Sequence, residues 1–264
     1  MKIAMIGRGA IAGYATRKLE KEGHRVSAFL VRPERLEESR QIESEAPFLV
    51  SKVSDLPSDI DCIADCAGHQ ALRVYGPDIL RAGFNLITVS LGALAEKGLE
   101  AELKKAARDG GGTLTLASGA IGALDVLRAA RVGELTSVRY IGRKPPAGWM
   151  GSPAEAKLDL AGMRDEPETH FFGDAREAAQ AYPKNANVAA AVALAGVGFD
   201  KTQVQLIADP TISTNIHQVE ATGEFGRFEF QISGNPLPDN PKSSALAAMS
   251  VVDAVLNSAR RIRF

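Results

Sequence analysis

Two features of the sequence could carry chemistry: a glycine-rich stretch near the N-terminus and a histidine at position 217. The stretch fits the pattern G-x-G-x-x-G/A with Gly7, Gly9 and Ala12, directly after the apolar run Lys2 to Ile6. In this pattern the first glycine permits a tight turn, the second lets the backbone approach a pyrophosphate, and a small third residue allows close helix packing. Nucleotide binding is favoured over a bare structural turn, with contacts from Gly7, Gly9, Ala10, Ile11 and Ala12.

His217 lies in the segment TNIHQVEATG, which is typical of a β-strand. Counting in steps of two places His217 on the same face as Val219 and Ala221, which is the less polar face. Imidazole suits general acid-base work because its unperturbed pKa of about 6.5 is close to working pH. From the pattern alone, a histidine satisfied within the core is the more frequent explanation.

The element that must position the glycine stretch is a βαβ unit. An apolar strand over residues 2–6 is followed by a helix over 11–22 and by a second strand in GHRVSAFLV. An acidic residue at the end of that second strand would bind the ribose of NAD, but the strand ends FLVRPER. Arg32, with Arg35, could instead meet the 2′-phosphate of NADP, or both could be solvated surface charges. NADP is therefore tolerated in this prediction and NAD is not excluded.

Further βα units extend this half of the chain. Helices are predicted over about 69–82 and 94–108, so the sheet should be parallel and mostly buried. Ligands of open α/β sheets bind at the carboxyl ends of the strands. The small residues that follow those strands are therefore cofactor candidates, with tight βα turns as the alternative: Ala67, Gly68, Ser90, Gly92 and Ala120.

The second half of the chain has a different pattern. Strands with alternating character occur in LTSVRYIGRKP, TQVQLIAD, NIHQVEATG and RFEFQISG, and the last two form a hairpin. This predicts an α+β domain with an antiparallel sheet. An alanine-rich helix follows the polar run from Lys184 to Asn187 and should be buried, so its N-terminus is an anion-site candidate, with a plain Asn cap as the alternative. A last helix over 243–263 should pack on the first domain.

The bulk composition excludes several classes of protein. The 264 residues are 45% hydrophobic and 24% charged, and 31 basic residues nearly balance 32 acidic ones. This balance gives no reason to expect nucleic acid or a membrane surface as a partner. There is no apolar run of membrane-spanning length and no secretory signal, so the cytoplasm is the expected location. Cys62 and Cys66 cannot complete a metal site alone, and no metal is expected.

Nine segments in order resemble the L-aspartate dehydrogenase family over essentially the whole length. They are IGRGAIAG, DCAGHQAL, VSLGALAEKGL, SGAIGALDVLRAARVG, VRYIGRKPP, YPKNANVAAAVALAG, TQVQLIADP, NIHQVEATGEFGRFEF and NPKSSALAAMSVV. The resemblance implies a Rossmann-type doubly wound parallel sheet over residues 1–118 and 240–264. It also implies a catalytic and dimerisation domain of α+β type over residues 119–239.

The resemblance further implies oxidation of L-aspartate with NAD or NADP to iminoaspartate, which hydrolyses to oxaloacetate and ammonia or feeds NAD biosynthesis. It implies a homodimer, His217 as the active-site histidine, and cofactor contacts from Ala120 and Asn187. Substrate binding is expected from Lys184, Asn187 and His217. Two alternatives remain: a reductase of the dihydrodipicolinate or homoserine dehydrogenase type, and a cofactor-binding sensor without turnover.

Other residues compete for roles at the site. Among the histidines, His24 is predicted on a surface turn and His170 in an irregular charged stretch, so His69, at a strand end, is the reserve catalytic candidate. Two substrate carboxylates need cationic or helix-terminal partners. Arg143, Lys144, Lys184 and the start of the helix at residue 243 are available, and the sequence does not decide among them.

Overall fold

The computed structural model describes residues 1–39, 48–183 and 185–262. The contacts divide the chain into unit 1, which comprises Met1–Ala117 and Ala247–Phe264, and unit 2, Ser118–Leu246. The strands are β1 Lys2–Ile6, β2 Arg25–Leu30, β3 Phe48–Val50, β4 Cys62–Asp65, β5 Leu86–Thr88, β6 Leu114–Leu116, β7 Leu135–Lys144, β8 Glu168–Asp174, β9 Gln203–Ala208, β10 Asn215–Gly223, β11 Gly226–Gly234, β12 Pro236–Leu237 and β13 Asn240–Ser244. The helices are α1 Ala10–Lys21, α2 Pro33–Ser39, α3 His69–Arg81, α4 Leu99–Gly110, α5 Leu124–Ala130, α6 Ala175–Ala181, α7 Asn187–Ala195 and α8 Ala245–Ala259.

Unit 1 is built on a six-stranded sheet in the order β3-β2-β1-β4-β5-β6, in which every described pair is parallel. Short apolar strands alternate with amphipathic helices here, and parallel strands require such crossovers. The order reverses direction between β1 and β4, which is the switch point where doubly wound sheets bind their ligands. The predicted Rossmann-type sheet is confirmed.

The core of unit 1 includes residues from the far end of the sequence. Ile3 and Leu19 belong to the same buried cluster as Val251 and Val255 of α8. The helix packs where the sequence predicted, but it begins at Ala245 rather than at 243. The difference arises because residues 240–244 pair with β12 as the strand β13, so their backbone groups are already engaged in a ladder.

Unit 2 contains a five-stranded sheet in the order β11-β10-β7-β9-β8. Strands β10 and β11 form the predicted hairpin, with His217 opposite Ile232. The predicted α+β unit with an antiparallel sheet is confirmed, with one parallel pair, β7 and β9, that the sequence did not indicate. Alternation of polar and apolar residues specifies which face of a strand is buried, but it carries no information about strand direction.

Helix α7 is buried, as its composition predicted. Seven of its nine residues are buried: Val188, Ala189, Ala190, Ala191, Val192, Ala193 and Ala195. The alternative of a plain Asn cap is wrong, because the N-cap residue is Ala186 and it makes no side-chain capping hydrogen bond. Asn185 instead accepts a hydrogen bond from Lys144, so this amide connects the start of α7 to the end of β7.

The described residues include neither a membrane-spanning helix nor a cluster of metal-binding side chains. In the described part of the chain, none of the helices combines the length and the apolar character needed to cross a bilayer. Residues 1–39, 48–183 and 185–262 also contain no group of three His, Cys, Asp or Glu side chains placed to hold a metal ion. The remaining candidates for chemistry are those named from the sequence.

Candidate active site

A pocket of about 730 Å³ lies in unit 1 at the switch point of its sheet. Gly7 and Gly9 follow β1, Ala67 follows β4, and Arg32 follows β2, and all four line the pocket. The carboxyl ends of three neighbouring parallel strands therefore meet around one cavity, because their βα turns all lie on the same edge of the sheet. The predicted cofactor residues Gly7, Gly9, Arg32 and Ala67 are brought together here.

The glycine turn has the shape that a pyrophosphate requires. Gly7 has a φ of +84°, and a Cβ added to it would lie 2.8 Å from the Cβ of Ala67. At Gly9 an added Cβ would meet no protein atom within 4 Å, so only a ligand could need that space. Gly9 is the N-cap of α1 and no side chain caps this helix, which leaves the first amides, including those of Ala10, Ile11 and Ala12, for an anion.

Positive charge surrounds one part of this pocket. Arg8, Arg32 and Arg35 all line it, and Arg32 and Arg35 are exposed. Guanidinium groups bind phosphate through paired N–H donors. The arrangement fits a dinucleotide, with the arginines after β2 placed where an adenosine ribose with a 2′-phosphate is bound in folds of this topology.

A buried carboxylate fixes the turn after β4. Asp65 accepts a hydrogen bond from the amide of Ala67 at 2.9 Å and one from the hydroxyl of Thr88 at 2.7 Å. Thr88 Oγ1 in turn accepts from the amide of Ser90 at 3.0 Å. Burial raises the pKa of Asp65, while these donors oppose the rise. The network connects the ends of β4 and β5 and holds Ala67 against Gly7.

The other predicted cofactor residues lie outside this pocket. Gly68 precedes α3 with a φ of +91°, and Ser90 and Gly92 are buried at and after the end of β5. Ala120 and Asn187 belong to unit 2, where Ala120 is buried and Asn187 begins α7. Their assignment to the cofactor stays a prediction.

Both cysteines are packed thiols in the structure. Cys62 lies in β4, and Cys66 is next to Ala67 at the pocket. Burial raises the pKa of Cys62 to about 11 and also raises the pKa of Cys66. Since the thiolate is the reactive form, neither residue is a nucleophile near neutral pH.

His217 lies on β10 in unit 2 with its side chain directed inward, and it is 5% exposed. Its Nδ1 atom is 2.8 Å from the hydroxyl of Tyr140 on the adjacent strand β7. Gly142 lies directly opposite His217, and a Cβ at Gly142 would be 2.6 Å from the Tyr140 hydroxyl. The missing side chain at Gly142 therefore gives Tyr140 the space to reach the imidazole.

The environment of His217 keeps the imidazole neutral. Burial, and secondarily the charge of Lys144, lower the pKa of His217 to about 3. Burial also keeps the Tyr140 hydroxyl protonated, since it raises the pKa of that group. A neutral imidazole has one N–H and one basic nitrogen. When Nδ1–H donates to the Tyr140 oxygen, Nε2 is the basic nitrogen, and Nε2 has no hydrogen-bond partner among the described residues.

Replacing Tyr140 with phenylalanine should lower kcat by roughly 10- to 100-fold, the range seen when the partner that orients a metal-bound imidazole is removed. The variant keeps the ring but leaves Nδ1 of His217 without a partner, so the tautomer is no longer fixed. Steady-state kinetics would test this, with Tyr182→Phe as the matched control because Tyr182 makes the equivalent contact with His170. Equal activity of the two variants would contradict the assigned role of Tyr140.

The cationic candidates in unit 2 differ in their surroundings. Arg143 forms an ion pair with the buried Asp209 at 3.3 Å, whereas Lys144 Nζ donates to Asn185 at 2.6 Å and lies 4.9 Å from the centre of the Trp149 ring. Lys184, predicted to bind substrate, lies outside the described residues. The structure therefore brings Lys144, Asn185 and His217 into one region of unit 2.

The prediction that His170 lies in an irregular charged stretch is wrong. His170 is part of β8 and is 4% exposed. Its Nδ1 is 3.1 Å from the hydroxyl of Tyr182, and its ring packs edge-on against Trp149 with 4.3 Å between centroids. Burial lowers the pKa of His170 to about 4. The strand β8 lies at the edge of the sheet, and the charged residues that flank it obscure the alternation of polar and apolar residues that would have predicted a strand.

The two buried histidines should make unit 2 sensitive to acid. Both have pKa values below the ordinary 6.5, about 4 for His170 and about 3 for His217, so below pH 6.5 the unfolded chain binds protons that the native state does not. The free energy of unfolding should therefore decrease between pH 6.5 and 5, by roughly 2 kcal/mol per histidine. Urea denaturation at several pH values would measure this. In the His170→Gln variant the free energy of unfolding should depend less steeply on pH. An unchanged slope in this variant would contradict the proposed contribution of His170.

Sequence reasoning missed several residues of both regions. In unit 1 it missed Arg8, which occupies a variable position of the glycine pattern. In unit 2 it missed Tyr140 and Trp149, and it named Asn185 only as part of the polar run before α7. Tyr140 is two positions before Gly142 and four before Lys144 in the alternating segment VRYIGRK. The sequence therefore indicates that these three residues lie on one face of the strand. The sequence does not indicate which strand pairs with β7 and brings its residues next to this face.

Comparison with protein families matches both halves of the chain. Residues 125–258 match the family described as "Aspartate dehydrogenase, C-terminal", and residues 7–117 match the one described as "Homoserine dehydrogenase, NAD binding domain". A protein of Ruegeria pomeroyi named L-aspartate dehydrogenase is 51% identical over 100% of this chain and 94% of its own length. The protein of that name from Pseudomonas aeruginosa is 46% identical over 99% of each chain.

Solved structures with a similar fold include a crystal structure of aspartate dehydrogenase from Thermotoga maritima. It has a TM-score of 0.76 and 27% identity, and it covers 100% of this chain and 99% of its own. Dihydrodipicolinate reductase from a Paenisporosarcina species has a TM-score of 0.54 at 14% identity, covering 98% of this chain and 92% of its own. At that identity the second likeness concerns the fold alone.

Proposed function

Because the chain belongs to the L-aspartate dehydrogenase family, we propose that His217 is the base that takes the proton from the substrate as it is oxidised. The protein is an oxidoreductase that oxidises L-aspartate with NAD or NADP. The alternatives of a different reductase and of a sensor without turnover are therefore not retained.

The residues of unit 1 bind and orient the dinucleotide. The chemistry that a bound nicotinamide supplies is acceptance of a hydride from C2 of the substrate. Gly7 and Gly9 let the backbone approach the pyrophosphate, and the first amides of α1 bind it. Ala67, held by Asp65, forms the opposite wall of the turn. The pocket thereby fixes the position of the cofactor.

His217 accepts the proton that leaves the substrate. Oxidation of the amine requires that one proton leave the ammonium group, so that the nitrogen lone pair can form the C=N bond of iminoaspartate as the hydride departs. Nε2 of His217 accepts this proton, and the Tyr140 hydroxyl accepts from Nδ1–H and stabilises the resulting imidazolium. Once Nε2 has released that proton, the same nitrogen can take a proton from the water whose oxygen adds to the carbon of the imine, and ammonia then leaves to give oxaloacetate.

One observation carries this proposal: Nδ1 of the buried His217 imidazole lies 2.8 Å from the hydroxyl of the buried Tyr140, while Nε2 has no hydrogen-bond partner in the described part of the chain. Among the described residues, Nε2 of His170 is both unbonded and closed off from solvent, whereas Nε2 of His217 is not closed off in this way. Proton transfer with a substrate gives this reachable nitrogen a role. Asn187 and Lys184 are kept as further substrate contacts on the family resemblance.

The test is the increase of reduced-nicotinamide absorbance when the protein is mixed with L-aspartate and NAD or NADP in turn. D-aspartate, L-glutamate and L-homoserine serve as controls. Signal with L-aspartate alone supports the proposal. Signal with another amino acid only would discard aspartate as the substrate, and the absence of signal despite cofactor binding would discard the proposed base.

Replacing Arg32 with alanine should raise KM for NADP by roughly 10- to 100-fold and leave KM for NAD within about threefold. The reason is that only NADP has a 2′-phosphate, and a lost charge-assisted hydrogen bond costs about 1.5–3 kcal/mol. Steady-state kinetics with each cofactor would measure the split. Arg108→Ala on the exposed surface of α4 is the control for loss of a positive charge. A parallel change for both cofactors would show that Arg32 binds a shared group.

The remaining parts of the proposal are supported by the family resemblance. They are a supply of iminoaspartate to quinolinate formation in NAD biosynthesis, a homodimer, and a cytoplasmic location. Light scattering of the purified protein would measure the oligomeric state. The pathway role would be tested by expressing the gene in a strain that requires quinolinate and measuring its growth without added quinolinate.

A further inference from the structure

Lys144 is the last residue of β7 and lies on the same face of the sheet as His217. Gly142 is directly opposite His217, and Lys144 is two positions further along β7, so Lys144 and His217 are diagonal neighbours. Such neighbours have Cβ atoms up to about 7–8 Å apart, within reach of a long side chain. Because Gly142 has no side chain, no Cβ stands between them on β7, and the Tyr140 hydroxyl occupies the space over Gly142.

The ammonium of Lys144 is held in position with no counter-ion among the described residues. Nζ donates one hydrogen bond of 2.6 Å, to Asn185 Oδ1, and lies 4.9 Å from the centre of the Trp149 ring. Within residues 1–39, 48–183 and 185–262, no carboxylate forms an ion pair with it. An ammonium has three donors, so two remain for a ligand, and the side chain is only partly buried, so a ligand can reach it.

The neighbouring cation shows what a paired charge looks like in this sheet. Arg143, on the opposite face, has the buried Asp209 at 3.3 Å. Among the described residues Lys144 has no such partner, although burial lowers its pKa to about 8. A charge taken out of water without a partner is costly, so an anion that binds there gains an interaction the folded protein does not already make. Since a pKa near 8 leaves most of the ammonium protonated at pH 7, the group acts as a cation.

We propose that Lys144 binds one carboxylate of the substrate beside His217, with Asn185 and Trp149 fixing the ammonium group. This inference rests on the proposed function, from which it takes L-aspartate as substrate and His217 as base. It assigns a carboxylate contact that Arg143, already paired with Asp209, does not provide.

The site also has a consequence for the base. The charge of Lys144 is one of the two causes that lower the pKa of His217, after burial. A carboxylate bound to Lys144 offsets that charge and raises the pKa of His217 towards the range in which an imidazole accepts a proton.

The experiment compares Lys144→Gln, Lys144→Arg and wild-type enzyme in KM and kcat for L-aspartate and in Ki for succinate, a dicarboxylate without the amine. Lys144→Gln should raise both KM and Ki by roughly 10- to 150-fold, because it removes a charge-assisted bond to a carboxylate. The change in kcat should be smaller, and Lys144→Arg should recover part of the affinity. The Kd for NAD(P)H should not change.

The matched control is Lys157→Gln. Lys157 is also a lysine of unit 2 with one hydrogen bond, to the carbonyl of His170, and a ring nearby, that of Phe171. Its loss should leave KM and Ki unchanged. Values within twofold of wild type for both Lys144 variants, in protein with an unchanged melting temperature, would overturn the proposal.

Failure of the proposed function would be distinguishable from failure of this inference. If the wild-type protein does not oxidise L-aspartate, calorimetric titration of succinate into the NAD(P)H complex still tests the site. If succinate binds to the wild-type complex and does not bind to the Lys144→Gln variant, the carboxylate site is supported and only the proposed reaction is rejected. No binding of succinate to the wild-type complex would overturn the site itself.

Discussion

Asparagine in place of His217 is expected to lower kcat for L-aspartate by about 10²- to 10⁴-fold, which is the usual contribution of a general base. Asparagine can still bond to the Tyr140 hydroxyl, but it cannot accept a proton near neutral pH. The Kd for NAD(P)H should not change, because the glycine turn and the arginines that form the pocket belong to unit 1. Rapid-mixing kinetics and a fluorescence titration would measure the two quantities.

The matched control for this prediction is His170→Asn. His170 is likewise a buried histidine with a tyrosine at its Nδ1 in the same unit. It should lose stability and keep kcat within a few-fold of wild type. If His170→Asn lost as much activity as His217→Asn, both losses would reflect damage to the fold, and the assignment of His217 as the base would be contradicted.

Alanine in place of Gly7 is expected to weaken cofactor binding by about 100-fold or more and to lower the melting temperature. Two effects combine at this position. A φ of +84° is unfavourable for any residue with a Cβ, and the added Cβ would lie 2.8 Å from the Cβ of Ala67. Ala67 cannot yield easily because its amide is bonded to the buried Asp65. The turn must therefore open, which moves the amides that bind the pyrophosphate.

Two other glycines separate these effects. Gly23 has a φ of +80° and would place its Cβ in open space, so Gly23→Ala should cost stability and leave the cofactor Kd unchanged. At Gly9 an added Cβ meets no protein atom, so Gly9→Ala should weaken binding with little loss of stability. Thermal melts and NAD(P)H titrations of the three variants would show the pattern. An unchanged Kd in Gly7→Ala would remove the pocket of unit 1 as the cofactor site.

The parts of the site that could be predicted from sequence are those encoded locally. Gly7, Gly9 and Ala12 lie within six positions of each other between a strand and a helix, so their pattern specifies both the turn and its ligand. The inward direction of His217 followed from alternation within one strand and is confirmed by its burial. In each case the information needed was contained in about ten consecutive residues.

The parts that could not be predicted depend on partners far apart in sequence. Tyr140 and His217 are 77 residues apart, and only the pairing of β7 with β10 brings them together. Arg143 and Lys144 are adjacent cations that the sequence does not distinguish, yet they lie on opposite faces of the sheet, and among the described residues only the side chain of Arg143 forms an ion pair with Asp209. The register of a strand pair decides which residue is paired with an acid and which is left to a ligand.

The participation of α8 in the core of unit 1 determines when that unit can fold during synthesis. Val251 and Val255 share a buried cluster with Ile3 and Leu19, so the apolar surface left by the first 117 residues stays uncovered until residues 247 onward have been translated. Unit 2 is a single uninterrupted segment, Ser118–Leu246, and needs no later residue to complete its sheet. Domains fold as units as they leave the ribosome. We therefore expect the unit made first to become native last, and to depend most on chaperones in the interval.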